Sequence, residues 1–192
     1  MNFQIASELK ELGFTTNCTP VADLLFDGAD NVIGDRSFGS DPEIVVAFCK
    51  EVIRAHKDAG IEPIIKHIPG HGRATKDSHY HLPRITASLE ELEKTDFVIF
   101  KELAPLVNFA MTAHCVYEAI DPVLPATQSK IVIDYIRNNI GFTGDIFTDA
   151  IEMDALTGNV ADRAKASLEA GCNYVLHCTS NITEMEEILL TI

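Results

Sequence analysis

Four of the seven histidines lie within the 18 residues 66–83, in the run Lys66-His67-Ile68-Pro69-Gly70-His71-Gly72 and then Asp77-Ser78-His79-Tyr80-His81-Leu82-Pro83. Imidazole exchanges protons near neutral pH, so this density points to acid–base chemistry. Asp77 and His79 are two apart, a spacing that lets the carboxylate hold an imidazole proton, orient the ring and raise its basicity. Pro69, Gly70 and Gly72 call for a turn with special backbone angles, which folds the loop over the strand before it. The bland alternative is histidines that are solvated or bonded to backbone. A metal site is a further one, since imidazole and carboxylate ligate zinc and iron. Against it, the spacing matches no helical His-x-x-x-His pair, and Lys66 beside His67 repels a cation. A second candidate is Asp149, delivered by the run Asp145-Ile146-Phe147-Thr148. A carboxylate opposite a proton donor is what covalent glycoside hydrolysis requires, one group attacking the anomeric carbon while the other protonates the leaving oxygen. Asp after a strand is equally a helix cap, and both readings stay open.

The elements that must position these residues are βα units. Short apolar runs at 16–24, 63–68, 109–115, 145–151 and 173–178 alternate with helical patterns, the signature of a parallel sheet. Asp41-Pro42 caps and starts a helix carrying Ile44, Val45, Phe48, Val52 and Ile53, with Gly60 as its stop. Thr86 or Ser88 caps a short helix, and Ser129 caps one that stops near Gly141. Another helix runs from about Asn159 to Ala170 and ends at Gly171, and a last one starts near Thr183. Sites in parallel α/β architectures lie at the C-terminal strand ends. There the sequence places Asp23, Lys66-His67, His114, Asp149 and His177.

The chain has 192 residues, and its 15 basic and 29 acidic side chains give 15 − 29 = −14. That length and a 46% hydrophobic content support a folded domain burying roughly 70% of its unfolded surface. An acidic balance disfavours nucleic acid, whose binding needs clustered Lys and Arg. No run approaches the ~20 apolar residues of a membrane helix, and the N-terminus lacks a signal-peptide pattern, so no membrane partner is expected. Five scattered cysteines without a Cys-x-x-Cys pair point to reduced thiols and a cytoplasmic location. No linker or repeat divides residues 1–192.

The motifs 66–72 and 77–79, with Met111-Thr112-Ala113-His114 and Phe147-Thr148-Asp149-Ala150-Ile151-Glu152-Met153, resemble the bacterial β-N-acetylhexosaminidases of glycoside hydrolase family 3. Pro20-Val21-Ala22-Asp23, Ile33-Gly34-Asp35-Arg36-Ser37-Phe38 and Ala170-Gly171-Cys172 add to the resemblance in the family's order. It implies a (β/α)8 barrel that removes terminal β-linked N-acetylglucosamine with retention, typically from muropeptides in peptidoglycan recycling, without a cofactor. It assigns Asp149 as nucleophile, His79 as acid/base and Asp77 as its orienting partner. Arg36, Lys66 and His67 would bind the sugar, and His114 would share the pocket. An upstream Asp-Gln-Glu-Gly-Gly-type motif of the family is absent, and the five strands match the last five of eight. A whole barrel takes ~250 residues, so a partial barrel is expected, with two open sheet edges and a bared apolar face. The alternatives are an inactive remnant or interaction module of the same fold, and a metal-dependent hydrolase using His67, His71 and His79.

Overall fold

The computed structural model describes residues 1–192. Strands β1 (Thr16–Asn17), β2 (Glu62–Ile68), β3 (Arg84–Ile85), β4 (Phe109–Thr112), β5 (Val116–Tyr117), β6 (Asp145–Ala150) and β7 (Tyr174–Leu176) are interspersed with seven helices. These are α1 (Asn2–Glu11), α2 (Pro42–Asp58), α3 (Leu89–Lys94), α4 (Asp96–Leu103), α5 (Lys130–Tyr135), α6 (Val160–Ala170) and α7 (Ile182–Thr191). The helix starts follow the capping signals. Asp41 accepts the Glu43 and Ile44 N–H groups, while Ser88, Ser129 and Asn159 accept those of Glu91, Val132 and Asp162. Each such cap contributes about 1 kcal/mol. The last helix begins at Ile182, one residue before its expected start, because Asn181 caps it.

The main sheet has the order β1-β2-β4-β6-β7, with every pair parallel. It is an arc of a (β/α) barrel, as expected. Ile65, Ala110 and Ile146 face the helices and join a 29-residue core with Val45, Cys49 and Ile53 of α2, Phe97 and Phe100 of α4, and Val132 and Ile133 of α5. The alternate positions line the other face, where the rings of Phe109, Phe147 and Tyr174 touch at 5.4 and 4.6 Å between centroids. Tyr174 on the β7 edge is 47% exposed. No helix is long and apolar enough to cross a membrane.

Two expectations need correction, and one helix was not anticipated. The run 16–24 is not one strand: its ladder covers Thr16–Asn17, with a lone bridge from Val21 to Lys66. Pro20 brings no N–H, so this stretch pairs with β2 only where Pro20 accepts from the Lys66 N–H and Ala22 donates to the Lys66 carbonyl. The run 109–115 ends at Thr112, and Val116–Tyr117 pairs instead with Arg84–Ile85 in a second small sheet. Helix α4 carries no amphipathic signal because five of its eight residues are buried.

Candidate active site

Two interruptions of the ladder build the site. Lys66 and His67 are sequence neighbours, so a regular strand would turn them to opposite faces. The β2–β4 register shifts between Lys66 and Ile68, and both side chains then line one cavity of about 610 Å³. A second shift, between Phe147 and Ala150, lies where β6 delivers Asp149 to the same cavity. Arg36 reaches it from the short 3-10 turn Gly34–Arg36, and His79 from the loop after β2. The volume suits a small ligand.

That loop is pinned rather than free. The His71 N–H donates to Asp23 at 2.6 Å, Tyr117 Oη donates to the Gly70 carbonyl at 2.7 Å, and Arg73 bridges Asp96, Glu91 and Thr95. Gly72 lies so close to Leu24 that a Cβ there would meet the Leu24 carbonyl oxygen at 2.0 Å. The His71 ring contacts Ser78 Oγ at 3.0 Å, and the Ser78 and His79 carbonyls accept N–H groups of Ala155 and Asp154. The loop that carries His79 is therefore tied directly to the turn after Asp149.

Asp77 Oδ1 accepts from both the His79 ring Nδ1 at 2.7 Å and the His79 N–H at 2.8 Å. The other ring edge of His79 is free for a ligand proton, and the side chain is 56% exposed. Burial raises the Asp77 carboxyl's pKa, and the hydrogen bonds and charge of His79 outweigh this, so the net shift is downward. Asp149 shows the same balance. Burial acts upward, and the charges of His67, His114 and Lys66 together with the Ala150 N–H bring its pKa below the usual value. Asp149 Oδ1 accepts the Ala150 N–H at 2.8 Å. It is therefore a retained carboxylate, and it caps no helix.

Of the strand-end residues, Lys66, His67 and Asp149 line the cavity together with Arg36 and His79, and Asp77 stands behind His79. The expected pocket position of His114 is corrected. Its ring is fully buried, with Nδ1 2.6 Å from Thr127 Oγ1 and Nε2 3.0 Å from the Ala150 carbonyl, so no ring nitrogen is left for a ligand. It braces the peptide next to Asp149 instead. His177 bonds Glu184 at the start of α7, outside the cavity. Asp23 is buried beneath the floor, where it accepts from His67 Nδ1 at 2.6 Å. Sequence reasoning missed Glu152, Cys18 and Cys178 as cavity residues. Glu152 follows Asp149 by three in the turn after β6 and accepts the Cys178 N–H; its position just past a strand was the available signal. No three His, Cys, Asp or Glu side chains converge as metal ligands, so His67, His71 and His79 do not form the set a metal-dependent hydrolase would use.

Known proteins with the same pattern share this arrangement of chain. The family model described as the glycosyl hydrolase family 3 N terminal domain matches residues 1–192. A protein named beta-hexosaminidase from Alkalilimnicola ehrlichii is 42% identical over 182 residues, covering 93% of this chain and 52% of the relative. A glycoside hydrolase family 3 beta-N-acetylglucosaminidase from Paenibacillus sp. superposes with a TM-score of 0.94 at 33% identity, over 100% of this chain and 38% of that one. NagZ from Neisseria gonorrhoeae, solved in complex with N-trifluoroacetyl-D-glucosamine, gives 0.87 at 37% identity, over 96% of this chain and 53% of its own. The chain thus spans about half the length of the curated relatives it matches.

Proposed function

The chain belongs to the glycosyl hydrolase family 3 N-terminal domain family, and from that membership we propose that it carries the catalytic groups of a retaining β-N-acetylhexosaminidase acting on terminal β-linked N-acetylglucosamine. The observation that carries the reading is one cavity lined by both the Asp149 carboxylate and the Asp77-oriented His79. Asp149 Oδ attacks the anomeric carbon while protonated His79 gives its proton to the departing glycosidic oxygen, leaving a glycosyl ester on Asp149. Neutral His79 then takes a proton from water, the oxygen of which attacks the same carbon and returns Asp149 to a carboxylate. Two inversions at one carbon retain its configuration. Arg36 and Lys66 hold the hydroxyls and N-acetyl group of the sugar, His67 shares its cavity-facing Nε2–H between the sugar and Asp149, and Asp77 keeps the His79 ring aimed. The ligand of the gonococcal NagZ complex, N-trifluoroacetyl-D-glucosamine, is an N-acylated glucosamine, which fits this assignment. Muropeptides in the cytoplasm are the natural source we propose, consistent with five free cysteines of which three are buried.

The test is hydrolysis of an aryl N-acetyl-β-glucosaminide followed by NMR of the first-formed anomer. The β anomer is expected, and Asp149→Ala should abolish turnover; an Asp149→Ala variant with full activity would overturn the assignment. A non-catalytic interaction module of the same fold is the second reading, favoured by the unpaired edges β1 and β7 and by exposed Tyr174. Turnover by the 192-residue chain itself would refute it.

A further inference from the structure

Asp23 is not among the residues lining the cavity, yet two of its polar contacts beneath it are 2.6 Å long. Its side chain is 0% exposed. It accepts from His67 Nδ1 at 2.6 Å, from the His67 N–H at 3.2 and 3.3 Å, and from the His71 N–H at 2.6 Å. No lysine or arginine pairs with it. A buried carboxylate without a cation is costly unless its oxygens are fully hydrogen-bonded or a proton is shared nearby. The far side of the same imidazole meets the second carboxylate: His67 Nε2 lies 3.7 Å from Asp149 Oδ2. His67 is 5% exposed, so this ring is held edge-on between two acids.

We propose that Asp23 is the positioning residue for the nucleophile: by holding Nδ1–H of His67 it aims an Nε2–H at Asp149 Oδ2, so that Asp23, His67 and Asp149 form one acid–imidazolium–acid line. The inference rests on the hydrolase reading above for its catalytic meaning. A bare Nε2 lone pair would face an anionic oxygen and repel it, whereas a proton there attracts it. The arrangement serves both half-reactions. It keeps Asp149 ionised and directed before attack, and it stabilises the carboxylate that departs when water cleaves the glycosyl ester. Around this line, Lys66 of β2 and His114, just past β4, also act on Asp149, and Cys18 and Cys178, just past β1 and β7, adjoin it. His71 packs against His67 with ring centroids 5.6 Å apart, and burial and the His67 charge lower its pKa to about 4. It is therefore neutral and cannot replace the imidazolium.

Nitrogen-15 NMR of the histidine rings in the full chain tests this directly, with the His67 signals identified as those lost in His67→Gln. Both His67 ring nitrogens should be protonated at pH 7, and Asp23→Asn should leave one bare. A bare Nε2 in the unsubstituted protein overturns the proposal even if Asp23→Asn fails to fold. Turnover gives the second readout. Asp23→Asn should lower kcat roughly 100-fold through loss of aim, a larger factor than any rise in KM from the weakened His67 contact with the sugar. The acidic limb of kcat/KM should move up by about one pH unit or more as Asp149 loses its cationic neighbour. An unmoved limb with a folded variant would overturn the catalytic role. If the unsubstituted protein has no turnover, the hydrolase reading fails while the ring states still decide whether Asp23 sets the His67 proton.

Discussion

Asp77 spends one oxygen on two donors of the same residue, the His79 N–H and ring N–H, so it both orients the His79 ring and stabilises its protonated form. Asp77→Asn keeps the shape but loses the charge that stabilises a protonated ring. It should reduce turnover roughly 100-fold, with binding of a non-hydrolysable N-acetylglucosamine analogue unchanged by calorimetry. His71 carries a different signal, in stability. Burial first, then the neighbouring His67 charge, lowers its pKa from 6.5 to about 4 in the folded chain. Between those values the unfolded chain binds the extra proton, so stability falls as pH drops from about 6.5 to about 4. The loss levels off below that, at a total of about 3 kcal/mol. Urea midpoints measured from pH 7 to 4.5 should show this slope, and His71→Asn should flatten it.

At the scale of elements, the loop after β2 works because its backbone is locked to the sheet below. The Gly72 backbone touches that of Leu24 so closely that a Cβ would sit 2.0 Å from a carbonyl oxygen. Gly72→Ala must therefore lift the loop. It should cost about 2–4 kcal/mol, the range of severe packing and strain lesions, and move His79 off its aim, so that both the melting temperature and kcat fall. Tyr117→Phe removes the donor to the buried Gly70 carbonyl. That loss should cost about 1–3 kcal/mol and lower kcat more than it raises KM. The starts of α2, α3, α5 and α6 were legible in the sequence because Asp41, Ser88, Ser129 and Asn159 act on N–H groups two or three residues away. Helix α4 was not, because burial on nearly every side erases the periodicity that marks a helix.

For the molecule as a unit, the opposing features are a net charge of −14 and an open arc of sheet. Edge strands and bare aromatic faces favour association, and the exposed Tyr174, Leu189 and Leu190 add apolar surface near β7. Mutual repulsion among acidic chains opposes this. Sedimentation should therefore show larger species as the pH approaches the sequence isoelectric point of about 4.8, with less association at pH 7.5 and low salt. Association equal at both pH values would show that charge does not control it. The helix-facing core is the counterweight: Phe100, at 0% exposure among α4 neighbours, should cost about 3–5 kcal/mol when cut to Ala.

Neighbouring residues alone dictate the alternation of strands and helices, the caps, and the chemistry available at 66–83 and at Asp149, so all of these could be read along the chain. Which of the strand-end residues act together is settled only when the chain folds. His114 and Asp23 carry the same kind of sequence signal as Lys66 and Asp149, yet one is turned behind the Ala150 carbonyl and the other beneath His67. For Lys66, His67 and Asp149 the cause is register, whereas Asp23 and His114 lie past the ends of β1 and β4. A shift of one residue in a ladder exchanges the faces of a strand, and the shifts at Lys66–Ile68 and Phe147–Ala150 arise from pairing with strands distant in the chain, which no local pattern records.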